Sequence, residues 1–116
     1  MSWKKEISQI KLREKLAKQQ GGPEAVKLQH NKGRLTLRER IDLLLDKESF
    51  EEIGKVAGGA EYDDEGNLTS LTPANFILGF GKIDGRDVIV GGEDFTVKGG
   101  SPNAAGLRKS VYTEDL

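Results

Sequence analysis

Residues 75–97 read NFILGFGKIDGRDVIVGGEDFTV, two apolar stretches on either side of Asp84-Gly85. Asp-Gly between such stretches signals a two-residue type I′ turn, in which both central residues take positive φ and the strand twist is matched. The stretch predicts a β-hairpin with strands over 75–83 and 86–97. Val88, Ile89 and Val90 form an unbroken apolar run, which predicts a strand covered on both faces. A lone hairpin is marginal in water, so this one needs more sheet, or helices, over it.

Moving toward the C-terminus, the chain continues as KGGSPNAAGLRKSVYTEDL. Ser101 is a suitable helix cap and Pro102 suits a first helical position, so a helix is expected over 103–115. Leu107 and Val111 lie one turn apart on it, while Ala104 and Ala105 offer a close-packing face. Gly99 and Gly100 let backbone amides come near a ligand, and the helix that follows presents its positive end there. Such a turn favours an anion or a carbonyl oxygen. The residues alone equally allow a tight connection with no ligand.

Moving toward the N-terminus, residues 57–75 (AGGAEYDDEGNLTSLTPAN) are rich in Gly, Asp, Asn, Ser, Thr and Pro, and the composition predicts a loop. Phe50–Ile53 is expected as a short strand after a turn over Asp46–Ser49. Thr36-Leu37-Arg38-Glu39 is a capping box, with the Thr36 hydroxyl serving the Glu39 amide and Glu39 reaching back. Leu37, Ile41, Leu44 and Leu45 form the apolar face of the helix it opens. A first helix is expected over 2–20, capped by Ser2, with Trp3, Ile7 and Ile10 in one row and Leu12 and Leu16 in a second. Gly21-Gly22 stops it, Pro23 opens a short helix over 24–30, and Asn31-Lys32-Gly33 ends that one.

Composition narrows the function classes. The 116 residues suit one domain at most. Hydrophobic residues make up 35% and charged residues 32%, a thin apolar supply that still lies within globular composition. The net charge of −1 argues against a dedicated nucleic-acid or membrane-surface role. Charge is nonetheless uneven: the first 40 residues carry most of the Lys and Arg, and residues 46–66 are acidic. The lack of Cys excludes disulfides, thiolate zinc sites and a Cys nucleophile. The opening MSWKKEISQI lacks the apolar core of a secretion signal, so a cytoplasmic location is expected.

Catalytic constellations are sparse. His30 is the only His and is expected at an exposed helix end. Glu51-Glu52 and Asp63-Asp64-Glu65 read as solvated acids, and no His and carboxylate spacing suggests a metal site. Ser101 has no partner base in the sequence pattern. KGGS also lacks the GK[ST] ending of a phosphate loop.

Two longer stretches are more specific than their physics. GGPEAVKLQHNKGRLTLRERIDLLLDKESFEEIG (21–54) and GFGKIDGRDVIVGGEDFTVKGGS (79–101) resemble the carboxyltransferase (beta) subunits of biotin-dependent acyl-CoA carboxylases of the propionyl-CoA and methylcrotonyl-CoA type. The resemblance implies an α/β fold: a helical arm over 1–45, then over 46–116 the first strand-strand-helix part of a crotonase-like domain. Family members are several times longer, so this chain is expected to be incomplete and inactive alone. The reaction implied moves a carboxyl group from carboxybiotin to the α-carbon of an acyl-CoA. Both enolates formed on that path need amides aimed at the developing oxyanion.

The resemblance places Gly99, Gly100 and Ser101 on the CoA side of the cleft and carries over no catalytic residue and no metal. It implies acyl-CoA as substrate, biotin carried on a partner, a biotin carboxylase or biotin carrier subunit as partner, and homo-oligomers. Two rivals stand beside it. One is the carboxyltransferase subunit of a biotin-dependent decarboxylase; the other is a non-enzymatic interaction module docking through its basic helices.

Overall fold

The computed structural model describes residues 2–97 and 104–116. Gly99, Gly100, Ser101 and Pro102 lie outside them. The described elements run α1 (Lys4–Lys18), α2 (Pro23–Asn31), α3 (Leu37–Leu44), β1 (Glu51–Ile53), β2 (Gly58–Tyr62), β3 (Leu68–Pro73), β4 (Phe76–Ile83), β5 (Arg86–Glu93) and α4 (Ala104–Asp115).

The hairpin forms around the expected turn: Asp84 takes φ 51° and Gly85 φ 79°. β4 and β5 pair antiparallel from Phe76↔Glu93 to Ile83↔Arg86, and β1 adds to the other edge of β4. The run at Val88–Val90 is not covered on both faces. Val88 and Val90 pack toward the core, while Ile89 points to the opposite face and is 37% exposed. Strand period two explains it: successive side chains face opposite sides. The second strand also stops at Glu93, four residues short of the expected end, because Asp94–Val97 folds into a turn.

α3 covers one face of this sheet. Its capping box is complete: Thr36 Oγ1 accepts the Glu39 N–H at 3.3 Å, and Glu39 Oε1 accepts the Thr36 N–H at 3.0 Å. Ile41 and Leu45 form the core with Ile77, joined by Leu37, Phe50, Ile83, Val88 and Val90. Leu44, expected on that face, is 55% exposed. Glycines in the strands make room for the leucines. A Cβ on Gly81 would lie 2.5 Å from Leu45 Cδ1, and one on Gly92 would lie 2.7 Å from Leu37 Cδ1.

Residues 57–75 are a second hairpin and not the loop that composition suggested. β2 pairs with β3 antiparallel, with a register shift at Glu61/Tyr62. The polar residues that mimic a loop are the wet side of β3: Thr69 and Thr72 are exposed, and Leu71 and Pro73 are buried. Asp63 closes the turn, its Oδ1 accepting the N–H groups of Glu65 at 3.0 Å and Asn67 at 2.8 Å. Those bonds, the Asn67 amide first, hold its carboxyl below the usual range.

α1 begins at Lys4, with Trp3 and not Ser2 at the cap position, although Ser2 Oγ accepts the Lys4 N–H at 3.3 Å. It ends at Lys18, before the expected Gln20, because Gln20 already takes φ 58°. Ala17 is its buried residue, and the helix lies against β3. Trp3, Ile7 and Ile10 remain about half exposed or more. On the far face of the main sheet, α4 packs with Gly106 buried, while Leu107 and Val111 point away, each 58% exposed. Of the face expected to pack closely, Ala105 is half-buried beside Gly106. No described helix is long and apolar enough to cross a membrane.

Candidate functional site

The chain reaches the glycine-rich segment through a tightly bonded turn. Asp94 is buried, and its N–H donates to the Asn75 carbonyl at 2.8 Å. Its Oδ1 accepts the Thr96 N–H at 2.9 Å and the Thr96 hydroxyl at 2.6 Å. The Val97 N–H closes back on the Asp94 carbonyl at 3.2 Å. This is an Asx turn, the local geometry that Asp favours through its short side chain. Thr96 Oγ1 also accepts the Gly21 N–H at 2.9 Å, tying the α1–α2 joint to the turn. Only glycine fits at 21, since a Cβ there would overlap the Thr96 carbonyl.

Beside the turn is a cavity of about 200 Å³ lined by Arg34, Leu35, Leu37, Arg40 and Phe95, with Phe95 itself 54% exposed. A larger open groove of about 840 Å³ runs along α3 and β1, over Ile41, Leu45 and Phe50, and is rimmed by Arg38, Glu52 and Lys55. Both Arg38 terminal nitrogens reach Glu52 at 2.9 Å, the planar fork matching the carboxylate. The Arg38 Nε is buried without a partner. Burial pushes the Lys109 ammonium below its ordinary range, with Glu52 opposing the shift and Arg38 adding to it. These groups can bind and orient.

The acids and the histidine singled out in the sequence therefore part company. Glu52, read as solvated, is the partner of Arg38, whereas Glu51 stays exposed. His30 is a half-exposed side chain bonded through Nε2 to Glu39 Oε1 at 2.6 Å. That bond, then the Thr36 amide, lowers the Glu39 carboxyl to about 2. Among the described residues no group of three or more His, Cys, Asp and Glu is placed to hold a metal. Gly99, Gly100 and Ser101 lie outside the described residues. Sequence reading missed Asp94, Thr96 and Arg38; the Asp-x-Thr spacing was the available signal for the first two.

The carboxyl transferase domain family matches residues 28–116. The chain is 38% identical to the propionyl-CoA carboxylase beta chain of Roseobacter denitrificans, over 95% of this chain and 22% of that protein. It is 39% identical to the methylmalonyl-CoA decarboxylase subunit alpha of Veillonella parvula, over 90% of this chain and 21% of that one. A crystal structure of transcarboxylase 12S, a hexamer with methylmalonyl-coenzyme A and methylmalonic acid bound, superposes over 99% of this chain and 22% of its own, with TM-score 0.80 and 30% identity. The chain thus spans about a fifth of the length of these relatives. Its α/β architecture is part of the crotonase-like fold of such carboxyltransferases. The family match across residues 28–116 and the superposition over nearly the whole chain agree: this chain belongs to the carboxyl transferase domain family.

Proposed function

We propose that this chain supplies part of the carboxyltransferase subunit of a biotin-dependent acyl-CoA carboxylase, which moves a carboxyl group from carboxybiotin to the α-carbon of an acyl-CoA. The observation that carries the reading is the superposition, at TM-score 0.80, on a transcarboxylase with methylmalonyl-coenzyme A bound. In this reading residues 1–45 are a helical arm, 46–116 open the crotonase-like domain, and Gly99, Gly100 and Ser101 line the acyl-CoA pocket. The chain's share of the work is binding. In this reading Gly99 and Gly100 would let main-chain amides come near the acyl-CoA, where a side chain would intrude. Carboxybiotin enters as a substrate on a carrier partner. Carboxyl transfer then needs oxyanion-holding amides from further chain, so these 116 residues alone are inactive.

The 39% identity to a decarboxylase subunit supports a second reading, in which the same site works in the decarboxylating direction. Genes for membrane subunits beside this one would favour that reading. Titrating the chain with propionyl-CoA tests the shared part of both: saturable binding is expected, and no binding at millimolar ligand would leave an interaction module as the better account.

A further inference from the structure

The first half of α1 carries a face that nothing in the chain covers. Trp3, Ile7 and Ile10 follow at helical spacing, which puts them in one row, and they are 66%, 49% and 53% exposed. Lys4, Lys11 and Lys15 form a second row beside it. All three lysines are exposed and form no salt bridge among the described residues. What holds α1 to the body lies further along the helix: Arg13 sits over the Tyr62 ring, Glu14 pairs with Lys55 at 3.2 Å, and Ala17 is buried.

The groove along α3 and β1 is the complementary surface. Its floor is Ile41, Leu45 and Phe50. Two of its rim cations, Arg38 and Lys55, are already paired with Glu52 and Glu14, and Asp46 is held by the hairpin-tip amides. The rim acids Asp42, Glu48 and Glu51 are exposed, form no salt bridge among the described residues, and outnumber the remaining cations, Lys18 and Lys47. An apolar floor with an acidic rim suits a helix with an apolar row and a basic flank. The chain's own helix does not fill it. Of α1 only Lys18 lines the groove, and over 15 residues the helical rise sets Trp3 about 22 Å away from it.

We propose that the groove receives α1 of a second copy of this chain, each copy lending its helix to the other about a twofold axis. Trp3, Ile7 and Ile10 of one copy lie on the floor of the other, and Lys4 and Lys11 face Asp42 and Glu48. A reciprocal exchange uses both helices and both grooves, so the assembly closes at a dimer.

Trp3 is the only Trp of the 116-residue chain, so its emission reports the contact. With rising concentration, sedimentation equilibrium is expected to show dimers, and Trp3 emission to move to shorter wavelength over the same range. Ile7→Asp puts a charge into the apolar row at an exposed position and is expected to weaken the dimer about tenfold or more. Charge exchange tests the pairing itself. A chain with Lys4→Glu and Lys11→Glu, and another with Asp42→Lys and Glu48→Lys, are each expected to dimerise about tenfold more weakly than the native chain. Mixed in equal amounts, the two regain matched charges in both grooves, and the mixed dimer is expected to return to within about threefold of native affinity. That recovery also shows that both variants fold. A mixture no tighter than either variant alone overturns the proposal, as does a native chain that stays monomeric. Association that survives Ile7→Asp, or that leaves Trp3 emission unmoved, places the contact on another face and overturns it equally.

Discussion

The Asp46 carboxylate and the Gly85 amide are 39 residues apart in sequence and 2.8 Å apart in space. The other carboxylate oxygen accepts the Asp84 N–H at 2.9 Å, so one side chain at the end of α3 holds both amides of the hairpin tip. The Asp46 N–H adds a bond to the Lys82 carbonyl at 2.7 Å. Asp46→Ala should therefore lower stability by about 1–2 kcal/mol, the scale for bonds to a charged acceptor near the surface. Asp46→Asn, which keeps one acceptor, should lose less. Urea melts of the two variants check this; equal losses would mean that the carboxylate does not hold the tip.

The capping box predicts a second ranking. Thr36→Ala removes a side chain that is 2% exposed and caps α3, and should cost about 1 kcal/mol. Lys47→Ala, on the exposed turn, should change stability by no more than about 0.5 kcal/mol. Thermal melts that place the two together would contradict the helix start at Leu37.

Acid should act partly through Glu39, whose carboxyl is lowered to about 2 by the His30 bond and the Thr36 amide. A lowered folded-state pKa means that the stabilisation is complete above the ordinary Glu range, near pH 4.3, and is lost as pH falls toward 2. The native chain should lose melting temperature across that window, and Glu39→Gln should flatten the loss. Parallel pH profiles for the two chains would show that this carboxylate is not coupled to folding.

Exposed apolar surface predicts association. Leu107 and Val111 on α4, Ile7 and Ile10 on α1, and Trp3 at the α1 cap are each 49% exposed or more. Patches of this kind favour self-association or binding of a hydrophobic dye. Leu107→Ser with Val111→Ser should reduce both in sedimentation and dye fluorescence. A native chain that is monomeric at all concentrations and binds no dye would contradict this.

What the sequence revealed depended on the range of the interaction. Thr36-Glu39, Asp84-Gly85 and Pro23 act within a few residues, and each was legible because its chemistry is local. The β2–β3 hairpin was hidden because Thr69 and Thr72 make its exposed side look like loop, and pairing such as Gly58↔Pro73 leaves no local trace. Ile89 misled for the opposite reason: an apolar side chain on a half-covered face continues the run formed by two core valines. Asp46 and Thr96 draw their importance from partners 39 and 75 residues away, which no local pattern encodes. The role given to Gly99–Ser101 came from family resemblance and stays a proposal about residues outside those described.

The most direct test of that role is propionyl-CoA titration of the native chain beside Gly100→Val, with melting temperature followed for both. A Cβ branch at Gly100 would intrude where the main chain is proposed to pass the ligand. The account predicts saturable binding by the native chain and an affinity about tenfold lower for the Val chain, with the melting temperature within a few degrees of native. A Val chain that melts normally and binds as well as the native chain would contradict it, leaving the glycine turn a connection and nothing more.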